Sequence, residues 1–144
     1  MKIIGVDLGV RSVHIASDTY CWSIEATKGD RARELQFLAD KLYLNFIKSD
    51  VYAYVEEPVV AGARNLRTSL QIAQVCGVVL SVLNGELVPV SSWKKGTVGK
   101  GNAKKEDAAQ WLQEVHPVLH ERTKRQDHID ATCIRLYGLG KTFA

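Results

Sequence analysis

Apolar and polar positions along the chain divide it into short β-type runs followed by helical stretches. Residues 2–8 are almost wholly apolar and end in Asp-Leu-Gly, the pattern of a buried strand entering a turn. Residues 11–18 alternate as Arg-Ser-Val-His-Ile-Ala-Ser-Asp, and residues 20–26 form a third β-type run, so an antiparallel meander with tight turns is expected. Asp30 then stands where a helix cap belongs, before Leu35, Leu38, Leu42 and Phe46 at helical spacing. Residues 51–55 are β-branched and aromatic, a strand that must stop before Pro58.

The second half reads as more helical. The pattern predicts a helix over residues 65–83, closed by Asn84-Gly85, and a short strand over 86–90. Residues 94–102, rich in glycine and lysine, read as a loop. A helix follows over 104–115, with Ala108, Trp111, Leu112 and Val115 on one face, and Pro117 interrupts it. A last helix is expected over 127–139, with Ile129, Cys133, Leu136 and Tyr137 near helical spacing. No linker, repeat or low-complexity tract divides the chain. The expected order is βββ-α-β-α-β-α-α: an α/β protein with one mixed five-stranded sheet flanked by helices, in a single domain over residues 1–144.

Composition narrows the class. The chain has 144 residues, enough for one core, and no apolar run of the ~18 residues that a membrane span needs. An acid at position 7 comes too early for a signal-peptide core, so a cytoplasmic protein is expected. Cys21, Cys76 and Cys133 are far apart and lack zinc-ligand spacing; they read as small buried thiols. His116 and His120 flank Pro117, which spoils their pairing as metal ligands. The net charge of +3 says little, but its distribution says more. Lys94, Lys95, Lys100, Lys104 and Lys105 crowd one stretch, and Arg122, Lys124 and Arg125 another. Such a patch suits phosphates if acidic metal ligands lie nearby.

Carboxylates end several apolar elements. Asp7 lies between Val6 and Leu8, Glu56 closes the fourth strand, and Asp127 and Asp130 share a face of the last helix. Individually, these are ordinary turn, strand-end and helix-start residues. Together they make a different pattern, because a carboxylate buried in an apolar strand is costly unless something neutralises it. Magnesium takes hard oxygen ligands, and two such ions about 4 Å apart activate water and stabilise a leaving oxygen. Glu57 points to the opposite face of its strand and ranks below Glu56.

The ordered set Ile3-Ile4-Gly5-Val6-Asp7-Leu8-Gly9, Tyr54-Val55-Glu56-Glu57 and Asp127-His128-Ile129-Asp130-Ala131 resembles the acidic motifs of the RuvC-type Holliday-junction resolvases, of ribonuclease H architecture. The stretch from Trp93 to Lys105 resembles that family's loop of a lysine, a Gly-x-Gly turn and Ala-x-Lys. The resemblance covers nearly the whole chain. It implies a crossover junction endonuclease with two Mg2+ ions per site, Mn2+ as a substitute, and Asp7, Glu56, Asp127 and Asp130 as ligands. Lys94 and Lys105 would contact phosphates near the scissile bond, with Lys105 in a catalytic position. Lys95, Lys100 and Lys104 would add to the DNA-binding surface. Some relatives carry a catalytic His on the last helix; here His128 sits beside Asp127 and reads as a supporting or surface residue.

The chain departs from the family in one place. No aromatic follows the strand-end glutamate in Glu57-Pro58-Val59-Val60-Ala61, so a wedge against a junction base is missing there. Arg64, Asn65 and Arg67 are candidates for contacting the junction instead. Among the tryptophans, Trp93 is the candidate for stacking on a base. A junction has two symmetry-related scissile phosphates, which suggests a homodimer. The second helix is apolar around much of its circumference from Ile72 to Leu83, and Ala73 and Gly77 would admit a second backbone.

Three other readings share these features. The opening Asp-Leu-Gly-Val-Arg-Ser-Val-His-Ile-Ala also resembles the YqgF-type nucleases, linked to ribosomal RNA maturation; the lysine stretch favours the resolvases. Actin-like and sugar kinases open with Asp-x-Gly but need a second lobe. A branched-DNA binding module without catalysis would not need the full acidic set.

Overall fold

The first apolar run becomes the centre of the sheet. In the computed structural model, which describes residues 1–59 and 65–143, β1 (Lys2–Leu8) lies between β2 (Ser12–Ala16) and β4 (Val51–Glu56). The outer strands are β3 (Cys21–Glu25) and β5 (Gly85–Val88), giving the order β3-β2-β1-β4-β5. The first three strands form an antiparallel meander, whereas β4 and β5 run parallel to β1. This is the mixed five-stranded sheet that the sequence predicts.

Because side chains alternate across a strand, β1 serves two cores. Ile4 and Val6 face α1 (Arg31–Phe46) and α2 (Leu66–Val82), where they meet Leu38, Leu42, Val75 and Val79. Ile3, Gly5 and Asp7 face the other layer. That layer comprises α3 (Val90–Thr97), α4 (Lys105–Val115) and α6 (Gln126–Phe143), with Trp93, Leu112, Cys133 and Ile134 buried against Ile3 and Tyr54. The short α5 (Pro117–Arg122) joins α4 to α6. Asp30 caps α1 as expected, its carboxylate accepting from the Arg33 N–H at 3.2 Å. All three cysteines are free and buried. No helix among the described residues is long and apolar enough to cross a membrane.

Several boundaries differ from the sequence pattern, each for a physical reason. Residues 90–97, read in part as loop, form α3, because burial of Trp93 outweighs the weak helix preference of its serines and glycine. The true loop begins after Thr97, and Gly99 supplies its positive φ of 101°. Pro117 does not merely interrupt a helix; it starts α5 at a position where its missing N–H costs nothing. Gly85 is not a left-handed helix cap but the first residue of β5, where a Cβ would lie 2.3 Å from the Ala53 carbonyl oxygen. The last helix passes beyond residue 139 to Phe143.

One contact sets the height of α6 above the sheet. A Cβ on Gly5 would lie 2.0 Å from the Ala131 carbonyl oxygen, and one on Gly138 would lie 2.2 Å from the Tyr54 ring. Both glycines therefore let α6 rest on the backbone of β1 and the ring of Tyr54. Gly5→Ala should push α6 outward and destabilise the chain by about 3 kcal/mol. Denaturant unfolding measures this, and a loss under about 0.5 kcal/mol, within the range of ordinary surface substitutions, would contradict the close approach.

Candidate active site

The α6 face of the sheet carries the acids. Asp7 shares that face with Ile3 and Gly5, and its side chain is only 5% exposed. Glu56 ends β4, parallel to β1, so two neighbouring strands deliver carboxylates to the same edge. Trp93 holds Glu56 in place: its indole Nε1 donates to Oε1 at 2.9 Å. Asp127 and Asp130 come from the first turns of α6, lowered towards the sheet by the contact at Gly5. Gln126 Nε2 donates to Asp130 Oδ1 at 3.1 Å. Asp127 Oδ2 lies 3.5 Å from His14 Nε2 and 3.3 Å from Arg125 Nε.

These groups act on one another. Burial, followed by the charges of Glu56 and Asp130, holds the Asp7 carboxyl well above the usual carboxylate range; hydrogen bonding with Asp127 and Glu56 adds to this. Burial raises Asp130 to about 6, with Glu56 and Asp127 adding to the effect and Gln126 and Lys105 opposing it. Among the described residues no three of His, Cys, Asp and Glu stand close enough to form a finished ligand set. Even so, the raised Asp7 and Asp130 carboxyls show that acids crowd one another at a partly buried place. The donors are oxygen-only carboxylates, the chemistry that suits a hard divalent cation. Asp7, Glu56, Asp127 and Asp130 therefore fit such an ion by donor type and by their need for counter-charge.

Buried polar groups extend the site. His14 stands directly opposite Asp7 in the β1–β2 register. His14 Nδ1 is 2.8 Å from Ser23 Oγ, and Ser23 Oγ is 2.8 Å from His128 Nε2. Burial lowers the pKa of both imidazoles. His128 is thus not a surface residue but one of the buried groups beside the carboxylates. Arg125 also pairs with Glu25.

The basic residues separate into near and far groups. Lys105 is near enough to Asp130 to lower its pKa. Lys94 lies on α3 with Nζ 5.7 Å from the Trp93 ring centroid. Lys95, Lys100 and Lys104 are exposed, and no contact among the described residues ties them to the acids. Arg67 is exposed in the first turn of α2; Arg64 lies outside the described residues. Trp93 is not available for base stacking, being 1% exposed. Glu57 is exposed and acts on Cys76 of α2, so it belongs to the opposite face. Sequence reading missed Ser23 and Gln126 as parts of the site, placed Arg125 only in a basic cluster, and gave His14 no role. The available signal was the polar set Ser12 and His14 on one face of an otherwise buried β2, facing the strand that carries Asp7.

The raised Asp130 has a measurable consequence. Its carboxyl titrates at about 6 in the folded chain against an ordinary 3.8, so the folded state holds that proton more tightly than the unfolded one. Ionisation then costs stability, nothing below the unfolded value and in full above the folded one. Without metal, Asp130→Asn should raise stability at neutral pH by on the order of 1–2 kcal/mol, with the gain fading as pH falls towards about 4. Thermal melts across pH measure this. A destabilised variant at neutral pH would contradict the crowding of charge.

No protein-family model and no curated protein matches the chain by sequence. Solved structures do. Thermus thermophilus RuvC superposes with a TM-score of 0.78 at 15% identity, over 99% of this chain and 95% of that one. RuvC of the same organism in complex with a Holliday junction substrate gives 0.75 at 13% identity, with 99% and 95% covered. The fowlpox virus resolvase, solved with substrate Holliday junction DNA, gives 0.53 at 16% identity over the full length of both chains. The mixed sheet and its helical layers thus have the fold of the RuvC-type resolvases, as the ordered motifs led us to expect.

Proposed function

We propose that the chain is a metal-dependent endonuclease that resolves four-way DNA junctions by phosphodiester hydrolysis. The observation that carries this reading is the gathering of Glu56, Asp127 and Asp130 around a buried Asp7. These four carboxylates would hold two Mg2+ ions, with Mn2+ as a substitute of similar hardness. Bound there, the pair would supply an activated water and charge stabilisation for the leaving oxygen.

The chain's own residues do the positioning. Trp93 fixes the rotation of Glu56 through its indole N–H. Lys105, close to Asp130, would bind a phosphate beside the scissile bond, and Lys94 a neighbouring one. Lys95, Lys100 and Lys104 would take phosphates farther along the arms, and Arg64 and Arg67 remain candidates for contacting the junction. The two neighbours solved with Holliday junction DNA favour branched DNA over structured RNA as substrate. Three buried free thiols suit a reducing, cytoplasmic compartment. The whole chain would act as one ribonuclease H-like nuclease domain.

Cutting of a synthetic four-way junction in Mg2+ is the direct test. Asp7→Asn, Glu56→Gln, Asp127→Asn and Asp130→Asn should each abolish cutting while junction binding persists, because one lost ligand disturbs both ions. Cutting by Asp7→Asn at the wild-type rate would refute the site. In the same assay, Lys94→Ala and Lys105→Ala should slow cutting and reduce the salt slope of binding by about one unit each. Unchanged slope and rate in both would make these lysines plain surface.

Symmetric cutting calls for two sites, and we place the second on a second copy of the chain. Leu66, Leu70, Ala73 and Gly77 form an exposed, mostly apolar stripe on α2, and open space surrounds Gly77. Sedimentation at micromolar concentration should show a dimer. A strict monomer that still makes paired cuts would overturn the preformed dimer.

A further inference from the structure

The active-site face contains a run of hydrogen bonds whose direction is set by a backbone donor at one end. There, the backbone N–H of Lys124 reaches His128 Nδ1 at 3.2 Å. A backbone N–H only donates, so Nδ1 carries no proton and His128 is the neutral tautomer protonated at Nε2. His128 Nε2 therefore donates to Ser23 Oγ at 2.8 Å. The Ser23 hydroxyl has one proton of its own, and its other partner is His14 Nδ1, at 2.8 Å. His14 thus accepts at Nδ1 and bears its proton at Nε2. That nitrogen faces Ser12 Oγ at 3.0 Å and Asp127 Oδ2 at 3.5 Å.

The far end suits the same direction: a proton on His14 Nε2 is compatible with both of its neighbours, the Ser12 hydroxyl and the Asp127 carboxylate. The relay lies inside the protein: His14 and His128 are 2% and 3% exposed, too buried for water to substitute for a missing partner. Thr132, one turn along α6, donates to the His128 carbonyl at 2.7 Å and stands against Cys21 Sγ, so the His128 backbone is tied down as well.

We propose that His128, Ser23 and His14 form a directed relay that positions Asp127 as a ligand, with His14 the residue in contact. The proposal rests on the nuclease reading above for what Asp127 does, but not for the direction of the relay. A carboxylate is planar, so a donor that fixes Oδ2 also fixes where Oδ1 points. Partners of this kind commonly change metal affinity by 10- to 100-fold, roughly, when removed.

Two measurements on the full-length chain test this. In the metal-free, 15N-labelled protein, long-range proton–nitrogen correlations should report His14 and His128 both protonated at Nε2. Ser23→Ala should leave His128 in that state and destroy the single tautomer of His14, whereas Ser23→Thr, which retains the hydroxyl, should preserve it. Observation of His14 protonated at Nδ1 in the wild type would overturn the relay without any variant. Second, Ser23→Ala should raise the Mn2+ concentration for half-saturation by about tenfold, with Ser23→Thr restoring it. A relay that only supports the fold would instead change the melting temperature with no change in half-saturation. If Ser23→Ala leaves metal binding unaltered while Asp7→Asn is inactive, the relay is wrong and the nuclease reading stands. If Asp7→Asn cuts normally, the nuclease reading fails, and the tautomers still decide the relay.

Discussion

Helix α6 rests on the backbone of β1 because residue 5 has no side chain. With a Cβ there, the Ala131 carbonyl would have to move. The position of α6 in turn decides where Asp127 and Asp130 stand relative to Asp7, two residues beyond Gly5 on the same face of the strand. Gly138, near the other end of the helix, repeats the device against the Tyr54 ring. Two points of close approach fix a long helix in both height and tilt. Packing of the scaffold therefore sets where the backbones of these carboxylates stand.

That scaffold holds charges that repel. Asp7 and Asp130 both have raised pKa values, with burial the first cause and neighbouring carboxylates next or close behind. The cost is borne by the opposite face of the sheet, where Ile4, Val6, Val13, Ile15 and Val55 pack against α1 and α2. One face supplies stability and the other accepts a local loss of it, a division made possible by the period-two alternation of β1. A site strained in this way gains most from a cation, because the ion removes the repulsion that the fold imposes.

Much of this was legible in the sequence. The strands and the four longer helices followed from periodicity, and the four acids could be placed on their elements from the sequence alone. The relay was not legible, because it depends on register. Asp7 meets His14 only when β1 and β2 pair as they do, and Ser23 meets His14 only through the next pairing. His128 then joins from a residue 105 positions away. Helix α3 was missed for a different reason. Its lysines and glycine look like loop, and only the burial of Trp93 against Glu56 reveals what the segment is for. A tryptophan that appeared suited to nucleic acid turned out to serve a carboxylate.

Asp127 shows how a fixed and an exchangeable partner divide one oxygen. His14 and Arg125 both approach Oδ2, yet their surroundings differ. His14 is 3% exposed, Arg125 is 46% exposed, and Arg125 is shared with Glu25. An exposed ion pair of this kind contributes about 1 kcal/mol or less, so Arg125 can leave at little cost. His14 cannot, since rotating it away would cost its own buried ring nitrogens their partners Ser23 and Ser12. On the reading proposed above, a cation at Asp127 would compete with the arginine and not with the histidine, and the carboxylate would keep its orientation.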